Sequence, residues 1–205
     1  YPEVLEDWFN NPMVNQWCVE MGKINLGYPE NNFPNHPFAP ACLFETGVAT
    51  MEQFPVKGVI WYQGESNDFD IPMHEKLFRL LVKGWRNHWG NEEMPFHFVQ
   101  LSGLTERYMW PEFRDSQRKL AAEIEHCEMA VSSDKADPND IHPKQKKPIG
   151  ERLARLALKY DYGFDIVPCG PMIKDAVLSD GKVVLDFDFA EGLATSDGEA
   201  ARCFE

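Results

Sequence analysis

The sequence has few basic residues and no long apolar run, and each shortage excludes a class of protein. Its 20 Lys and Arg residues face 33 Asp and Glu residues, which gives a formal net charge of -13. A nucleic-acid or anionic membrane surface needs the opposite balance, so both partners are excluded. No apolar stretch approaches the roughly 18 residues of a membrane span. The composition therefore predicts a soluble, acidic globular protein.

Cysteine is also scarce, and it is poorly placed for cross-linking. The 5 cysteines are widely spaced, with no CxxC pair and no Cys/His cluster. We therefore expect buried free thiols rather than a disulfide framework or a zinc site. The 6 histidines match no metal-ligand spacing, and no Gly-rich phosphate-binding signature occurs. Neither a metalloenzyme nor a nucleotide-binding protein is indicated.

Apolar residues, by contrast, are sufficient for a packed core. The chain has 205 residues, of which 43% are hydrophobic and 13% aromatic, so intrinsic disorder is disfavoured. It opens at Tyr1 without an initiator Met or an export-signal pattern, and it ends directly after the strand-like Arg202–Phe204. We expect both ends to be cuts through a longer protein.

Strand-like and helix-like segments alternate three times in the middle of the chain. Such alternation is typical of a parallel sheet with helices on both faces. The predicted strands are Val56–Tyr62, Phe96–Leu101 and Met129–Ser133, and the predicted helices begin at Pro72 and at Pro111 and lie around Ile149–Tyr160.

The segments on either side have other patterns. Apolar positions before Gly22 predict a helix that stops there, residues 28–40 predict an ordered proline-rich loop, and Leu43–Met51 has a helical period. After Val167 a β-hairpin turning at Asp180–Gly181 predicts the start of an antiparallel β domain. We therefore predict an α/β domain over residues 1–165 and, over 166–205, a β-rich segment of a second domain.

Polar loops follow all three predicted strands. They are Gln63–Asn67, Gln100–Gly103 and, after the third strand, Ser133–Asp134 with Asp137–Pro143; the first two contain no basic side chain. Ligands of open parallel sheets bind beyond the carboxyl ends of the strands, so we expect the three loops to share one site.

His142 is the candidate general base of this site. A lone loop histidine is more often structural, but His142 lies two residues after Asp140 at the expected mouth of the sheet. An acid close to an imidazole orients a general base, which favours catalysis. Glu65 and Asn67 are candidate site residues too, with capping of the following turn as the alternative for both.

The block Lys57–Asn67 resembles the central block of the sialate O-acetylesterase family, a branch of the SGNH/GDSL hydrolases. Asp137–Pro143 followed by Gly150–Ala154 resembles that family's histidine block, and Phe96–Leu101 and Phe113–Gln117 fit between the two in order. The resemblance covers roughly residues 38–160. It implies a three-layer α/β/α, flavodoxin-like sheet and hydrolysis of acetyl esters on sugars, without a metal or other cofactor.

The resemblance also implies residue roles. His142 is similar to the family's base, and Gln63 and Gly64 match the block whose polar side chain helps to hold the oxyanion. Gly64, Glu65 and Asn67 would contact substrate. For the acid, Asp140 is the first choice and Asp134 the reserve, and a dyad using a backbone carbonyl is the third alternative.

Nothing in the chain matches the family's Gly-Gln-Ser-Asn-Met-like nucleophile block, so we expect that block upstream, in a missing N-terminal part of the same protein. Ser66 is the alternative nucleophile, but its surroundings lack the second glycine of a nucleophile elbow.

The sequence thus predicts a carbohydrate esterase that removes O-acetyl groups from a sugar or glycan, inactive as this fragment alone. The rival hypothesis is a non-catalytic carbohydrate-binding remnant with Trp61 or Trp110 as a sugar platform. Because relatives that act on glycans are commonly exported, the resemblance implies a periplasmic or secreted protein.

Overall fold

The structure, a computed structural model, describes residues 2–28, 41–105, 107–135, 137–140, 142–195 and 197–200. Two compact units are present. The first comprises residues up to Lys57 together with Asp70–Met94, and the second comprises Gly58–Phe69 together with the chain from Pro95 onward. Apart from Tyr28, the proline-rich loop predicted over residues 28–40 lies outside the described ranges.

The first unit is helical. It contains α1 (Pro2–Phe9), α2 (Gln16–Leu26) and α3 (Ile71–Trp89), with a short π-helix over Phe44–Val48 and a 3₁₀ turn over Ala49–Met51. The helical period predicted for Leu43–Met51 thus corresponds to a π-helix followed by a 3₁₀ turn, and not to an α-helix.

Helix α2 corrects the prediction of a stop at Gly22. The helix begins after Asn15, whose side chain accepts the Trp17 N–H, and it ends only at Gly27 in the left-handed region (φ 62°). At Gly22 a Cβ would lie 2.7 Å from a ring carbon of Trp8. Glycine at this position allows the Trp8 ring to pack closely against α2, and its presence in the sequence does not mark a helix end.

Helix α3 starts as predicted, with Pro72 in its first turn. Its N-cap is Asp70, whose carboxylate accepts the Met73 N–H at 3.0 Å. An acceptor at this position satisfies one of the free N–H groups of the first turn. Of the predicted apolar stripe, Phe78 and Val82 are buried, whereas more than half of the Leu77 side chain is exposed.

The second unit is built on a parallel sheet of three strands, β1 (Val59–Trp61), β2 (Phe96–Gln100) and β3 (Met129–Val131), in the order β1-β2-β3. Trp61 of β1 is opposite Phe98 of β2, and Gln100 of β2 is opposite Val131 of β3. The central strand β2 is buried along its whole length, as expected for a sheet covered on both faces.

Two helices cover the faces of this sheet. Val99 and Ala130 pack against Ile149, Leu153 and Leu156 of α5 (Lys146–Tyr160). The neighbouring side chain of β2, Gln100, instead donates from Nε2 to a carbonyl oxygen of α4 (Trp110–Glu123) at 2.9 Å. Because successive strand residues point to opposite faces, α4 and α5 lie on opposite sides. The predicted three-layer α/β/α arrangement is confirmed.

An antiparallel hairpin follows, as predicted. Strands β4 (Met172–Ser179) and β5 (Lys182–Asp188) pair around a turn at Asp180–Gly181. All of β4 is exposed, including apolar side chains such as Leu178. The domain boundary at residue 165 stays a prediction.

Cys18, Cys42, Cys127 and Cys169 are free thiols; Cys42 and Cys127 are buried as predicted, whereas Cys18 and Cys169 are only half-buried. Cys203 lies outside the described residues. None of the helices in the described ranges combines the length and the apolarity needed to cross a membrane.

Candidate active site

The three predicted polar loops leave the same end of the parallel sheet. Residues 62–69 follow β1, residues 101–109 follow β2 and residues 132–145 follow β3. The three strands are parallel neighbours, so their carboxyl ends lie at one edge of the sheet. This edge is the candidate active site.

Gly64 shapes the loop after β1. It is buried and has a φ of 131°, a conformation that side chains with a Cβ rarely adopt. Its N–H donates to Oε2 of Glu65 at 3.0 Å, and its carbonyl oxygen accepts the Asn67 N–H at 2.9 Å. The Glu65 carboxylate therefore caps this turn, which is the alternative role considered for it.

Gln63 lies immediately before this turn. Its side chain is exposed, and its carboxamide has no hydrogen-bond partner among the described residues. Both amide hydrogens are thus available to a ligand at the sheet edge, which is what an oxyanion donor requires.

The loop after β3 carries Asp140 and His142. Asp140 donates its N–H to the Asp137 carbonyl oxygen at 3.0 Å, and its own Oδ1 accepts the His142 backbone N–H at 2.9 Å. The carboxylate therefore fixes the main chain at His142. The His142 side chain is exposed, and its ring has no hydrogen-bond partner in the ranges that the structure describes.

Asp134, the reserve acid, is engaged elsewhere. Its two carboxylate oxygens accept from Nη1 and Nη2 of Arg152 at 2.5 and 2.7 Å, and Lys135 lies 3.2 Å away. The hydrogen bonds from Arg152 lower the pKa of Asp134 far below its ordinary value. In return they raise the pKa of Arg152.

Ser66, the alternative nucleophile, is exposed in the turn after Gly64. Among the described residues no histidine hydrogen-bonds to it. An activated serine needs a base within hydrogen-bond reach, although such contacts often tighten only when substrate binds.

Another histidine does contact a carboxylate, but at the opposite end of β2. His97 Nε2 lies 2.8 Å from Oδ2 of Asp161, and both side chains are buried. Its Nδ1 accepts the backbone N–H of Glu128 at 3.3 Å, so the ring proton is on Nε2 and is donated to Asp161. With both ring nitrogens occupied, His97 joins α5 to the sheet and is not a free base.

The structure also adds two arginines that the sequence did not single out as site residues. Arg107, from the loop after β2, contacts the loop after β1, so a basic side chain does reach the first loop. Arg114 of α4 donates to the Leu101 carbonyl oxygen at 2.9 Å and to the Ser133 hydroxyl at 2.8 Å. Burial lowers the pKa of Arg114. The sequence signal for Arg114 was its place in the block Phe113–Gln117, which takes part in the family resemblance.

The suggested aromatic platforms differ in exposure. Trp110 is 2% exposed, and its indole N–H donates to the Ser102 carbonyl oxygen at 2.7 Å. Its role as a sugar platform is therefore wrong, because its ring belongs to the core. Trp61 is half-buried and lies against Phe96, with ring centroids 6.1 Å apart.

A separate groove of about 550 Å³ runs beside β3. Its walls come from β3, from α5 and from residues 168–172, and its lining includes Met129, Val131, Asp134, Arg152, Leu156 and Cys169. Gln63, Asp140 and His142 are not part of it. Within the described ranges, no three His, Cys, Asp or Glu side chains cluster closely enough to hold a metal ion.

Comparison with known proteins supplies the family. Residues 41–159 match the family model described as carbohydrate esterase, sialic acid-specific acetylesterase. Sialate O-acetylesterase of Mus musculus is 30% identical over 74% of this chain and 32% of its own length. The Homo sapiens protein of the same name is 28% identical over 78% of this chain and 35% of its own length.

A solved structure gives the same result. The crystal structure of a carbohydrate acetylesterase from Xanthomonas citri is 38% identical, with a TM-score of 0.61, over 68% of this chain and 34% of that one. The chain thus spans about a third of the length of these relatives. Since the family model covers more than half of the sequence, this chain belongs to the sialic acid-specific acetylesterase family of carbohydrate esterases.

Proposed function

We propose that this chain is part of an SGNH-type serine esterase that removes O-acetyl groups from sugars. The observation that carries the proposal is the placement of two exposed, uncommitted side chains, Gln63 and His142, on loops at one edge of a parallel sheet. Their residue types match an oxyanion donor and a general base. The family's acetylesterase activity supports the reaction class.

In the proposed reaction, His142 takes the proton of a serine hydroxyl while the serine oxygen attacks the acetyl carbonyl carbon. The negative charge that develops on the carbonyl oxygen is stabilised by the amide hydrogens of Gln63, a contact worth about 3 kcal/mol in other enzymes. His142 then returns the proton to the departing sugar hydroxyl. Water attacks the acetyl-serine with His142 again as base, and acetate leaves.

We propose that the nucleophilic serine lies outside residues 1–205. No segment here resembles the family's serine block, and the matching relatives are about three times as long as the part they share with this chain. Ser66 is the competing candidate, and no histidine among the described residues hydrogen-bonds to it.

The remaining roles rest on the hydrogen bonds of the two aspartates and on the family resemblance. Asp140 is the proposed acid, because it already fixes the main chain of His142 whereas Asp134 is paired with Arg152. Gly64, Glu65 and Asn67 would line the acetylated sugar. Since relatives that act on glycans are commonly exported, we place the protein in the periplasm or outside the cell.

Release of acetate from an O-acetylated sialic acid by the full-length protein tests this function. We expect His142→Asn to reduce kcat by several orders of magnitude, since the base and nucleophile act as a unit. His126→Asn is the matched control, because His126 is an exposed histidine whose positive φ suits asparagine. A loss below about tenfold in His142→Asn would remove His142 from the mechanism, and sugar binding without acetate release would favour the carbohydrate-binding alternative.

A further inference from the structure

The loop after β2 contacts both candidate catalytic loops, and Arg107 is its contact with the loop that carries Gln63. The Nη1 atom of Arg107 donates to the backbone carbonyl oxygen of Glu65 and to Oδ1 of Asp68, the latter at 2.6 Å. One nitrogen thus holds two points of the loop, three residues apart. The Asp68 side chain is only 16% exposed, so water competes weakly for this charged hydrogen bond.

The guanidinium group of Arg107 is itself held in place. It lies 5.3 Å from the ring centroid of Trp110, within the range of a cation–π contact. Trp110 is fixed in turn, since it is buried and its indole N–H donates to the Ser102 carbonyl oxygen. Arg107 therefore connects the Gln63 loop to a rigid part of the core.

The same loop reaches the histidine loop through Thr105. The backbone N–H and the hydroxyl of Thr105 both donate to the Pro138 carbonyl oxygen, each at 3.2 Å. Pro138 lies in the turn that Asp140 closes by donating its N–H to Asp137. The loops after β1 and β3 are thus both hydrogen-bonded to the loop between them.

We propose that Arg107 is a positioning residue that sets where Gln63 stands relative to His142. The inference rests on the proposed function, and it adds a residue to which no role has been assigned. Glu65, whose carbonyl oxygen Arg107 holds, is two residues after Gln63 and directly follows Gly64 with its unusual φ of 131°. Loss of this hydrogen bond would therefore be transmitted to Gln63 through a short stretch of backbone. A displacement of about 1 Å at a reacting group costs roughly 10²-fold in rate.

A double-mutant cycle in the full-length esterase, with a chromogenic acetyl ester as substrate, tests this role. Arg107→Ala should lower kcat by roughly tenfold or more and change KM little, because the oxyanion contact acts mainly in the transition state. In the Gln63→Ala background the same substitution should have almost no further effect on kcat. Arg155→Ala is the matched control, since Arg155 also donates to a loop carbonyl oxygen, that of Val167, and should leave kcat unchanged.

Equal losses from Arg107→Ala with and without Gln63 would overturn the inference, as would a rise in KM with kcat unchanged. Asp68→Asn provides a second variant if Arg107→Ala does not fold. This substitution weakens the same hydrogen bond with little change in side-chain shape, so it should lower kcat less than Arg107→Ala does. In the Gln63→Ala background Asp68→Asn should not lower kcat further, and a further loss there would count against the inference. An unchanged kcat in Gln63→Ala alone would instead contradict the proposed function at Gln63.

Discussion

Arg152 holds Asp134 through two parallel hydrogen bonds, from Nη1 to Oδ1 at 2.5 Å and from Nη2 to Oδ2 at 2.7 Å. Arg152 Nη1 also donates to the Val131 carbonyl oxygen at the end of β3. This pair ties α5 to the carboxyl end of the sheet, and both carboxylate oxygens of Asp134 already accept a hydrogen bond from Arg152. We therefore expect a structural role for this carboxylate.

Asp134→Asn should therefore leave the esterase nearly as active as the wild type. We expect kcat for acetate release from a sugar acetate to change by less than about threefold, because no proton transfer passes through this carboxylate. A loss of several hundredfold would instead make Asp134 the acid of the mechanism.

The contribution of Asp134 to the stability of the fold should depend on pH, and Asp134→Asn measures it. The pKa of Asp134 lies well below its ordinary value of 3.8 in the folded protein, so its charge stabilises the fold fully above that pH and progressively less as the pH falls below it. The pair is half exposed, so Asp134→Asn should lower Tm by at most roughly 2–4 °C at pH 7. Melting curves at pH 7 and pH 3 should show this difference shrinking in acid; an equal difference at both values would contradict the assignment.

Asp140→Asn tests the proposed acid. Asparagine keeps an oxygen that can accept the His142 N–H, so the turn should survive while the negative charge is lost. Replacing the triad aspartate of a serine protease by asparagine lowers kcat by about 10⁴-fold, and we expect a loss of at least about 10²-fold here. Circular dichroism would verify the fold, and an unchanged kcat would favour a dyad in which a backbone carbonyl orients His142.

Gln63→Ala should lower kcat by roughly 10²-fold or more with little change in KM, because an oxyanion donor acts mainly in the transition state. Steady-state kinetics with a small acetyl ester measure both constants. If KM rises while kcat holds, Gln63 binds substrate and is not an oxyanion donor.

Local patterns were sufficient to predict most of the second unit. The β-branched and aromatic runs correspond to β1, β2 and β3, and the Asp180–Gly181 turn closes the hairpin as expected. A parallel sheet also fixes which loops leave the same edge, and on this rule the sequence predicts that Gln63 and His142 belong to one site. These features depend on residues close in sequence or on a general rule of topology.

Features that depend on distant partners could not be predicted. Gly22 looks like a helix stop until the Trp8 ring is seen where its side chain would be. The commitment of Asp134 to Arg152 and the burial of Trp110 likewise depend on tertiary contacts. Arg107 was overlooked because its partners, Glu65 and Asp68, lie about forty residues earlier.

Residues 1–205 alone should not hydrolyse a chromogenic acetyl ester above background. Without a nucleophile no acetyl-enzyme forms, so the base and the oxyanion donor have no acyl group to act on. The fragment and its Ser66→Ala variant should be equally inactive. Strong activity of the fragment that Ser66→Ala abolishes would establish Ser66 as the nucleophile.

Covalent labelling of the full-length protein with a fluorophosphonate, followed by peptide mapping, tests the central claim most directly. The reagent phosphonylates a serine only where a base activates its hydroxyl, so it reports the nucleophile and His142 together. We predict a single labelled serine outside residues 1–205, with labelling slowed by orders of magnitude in His142→Ala. Label on Ser66, or labelling at an unchanged rate without His142, would contradict the account.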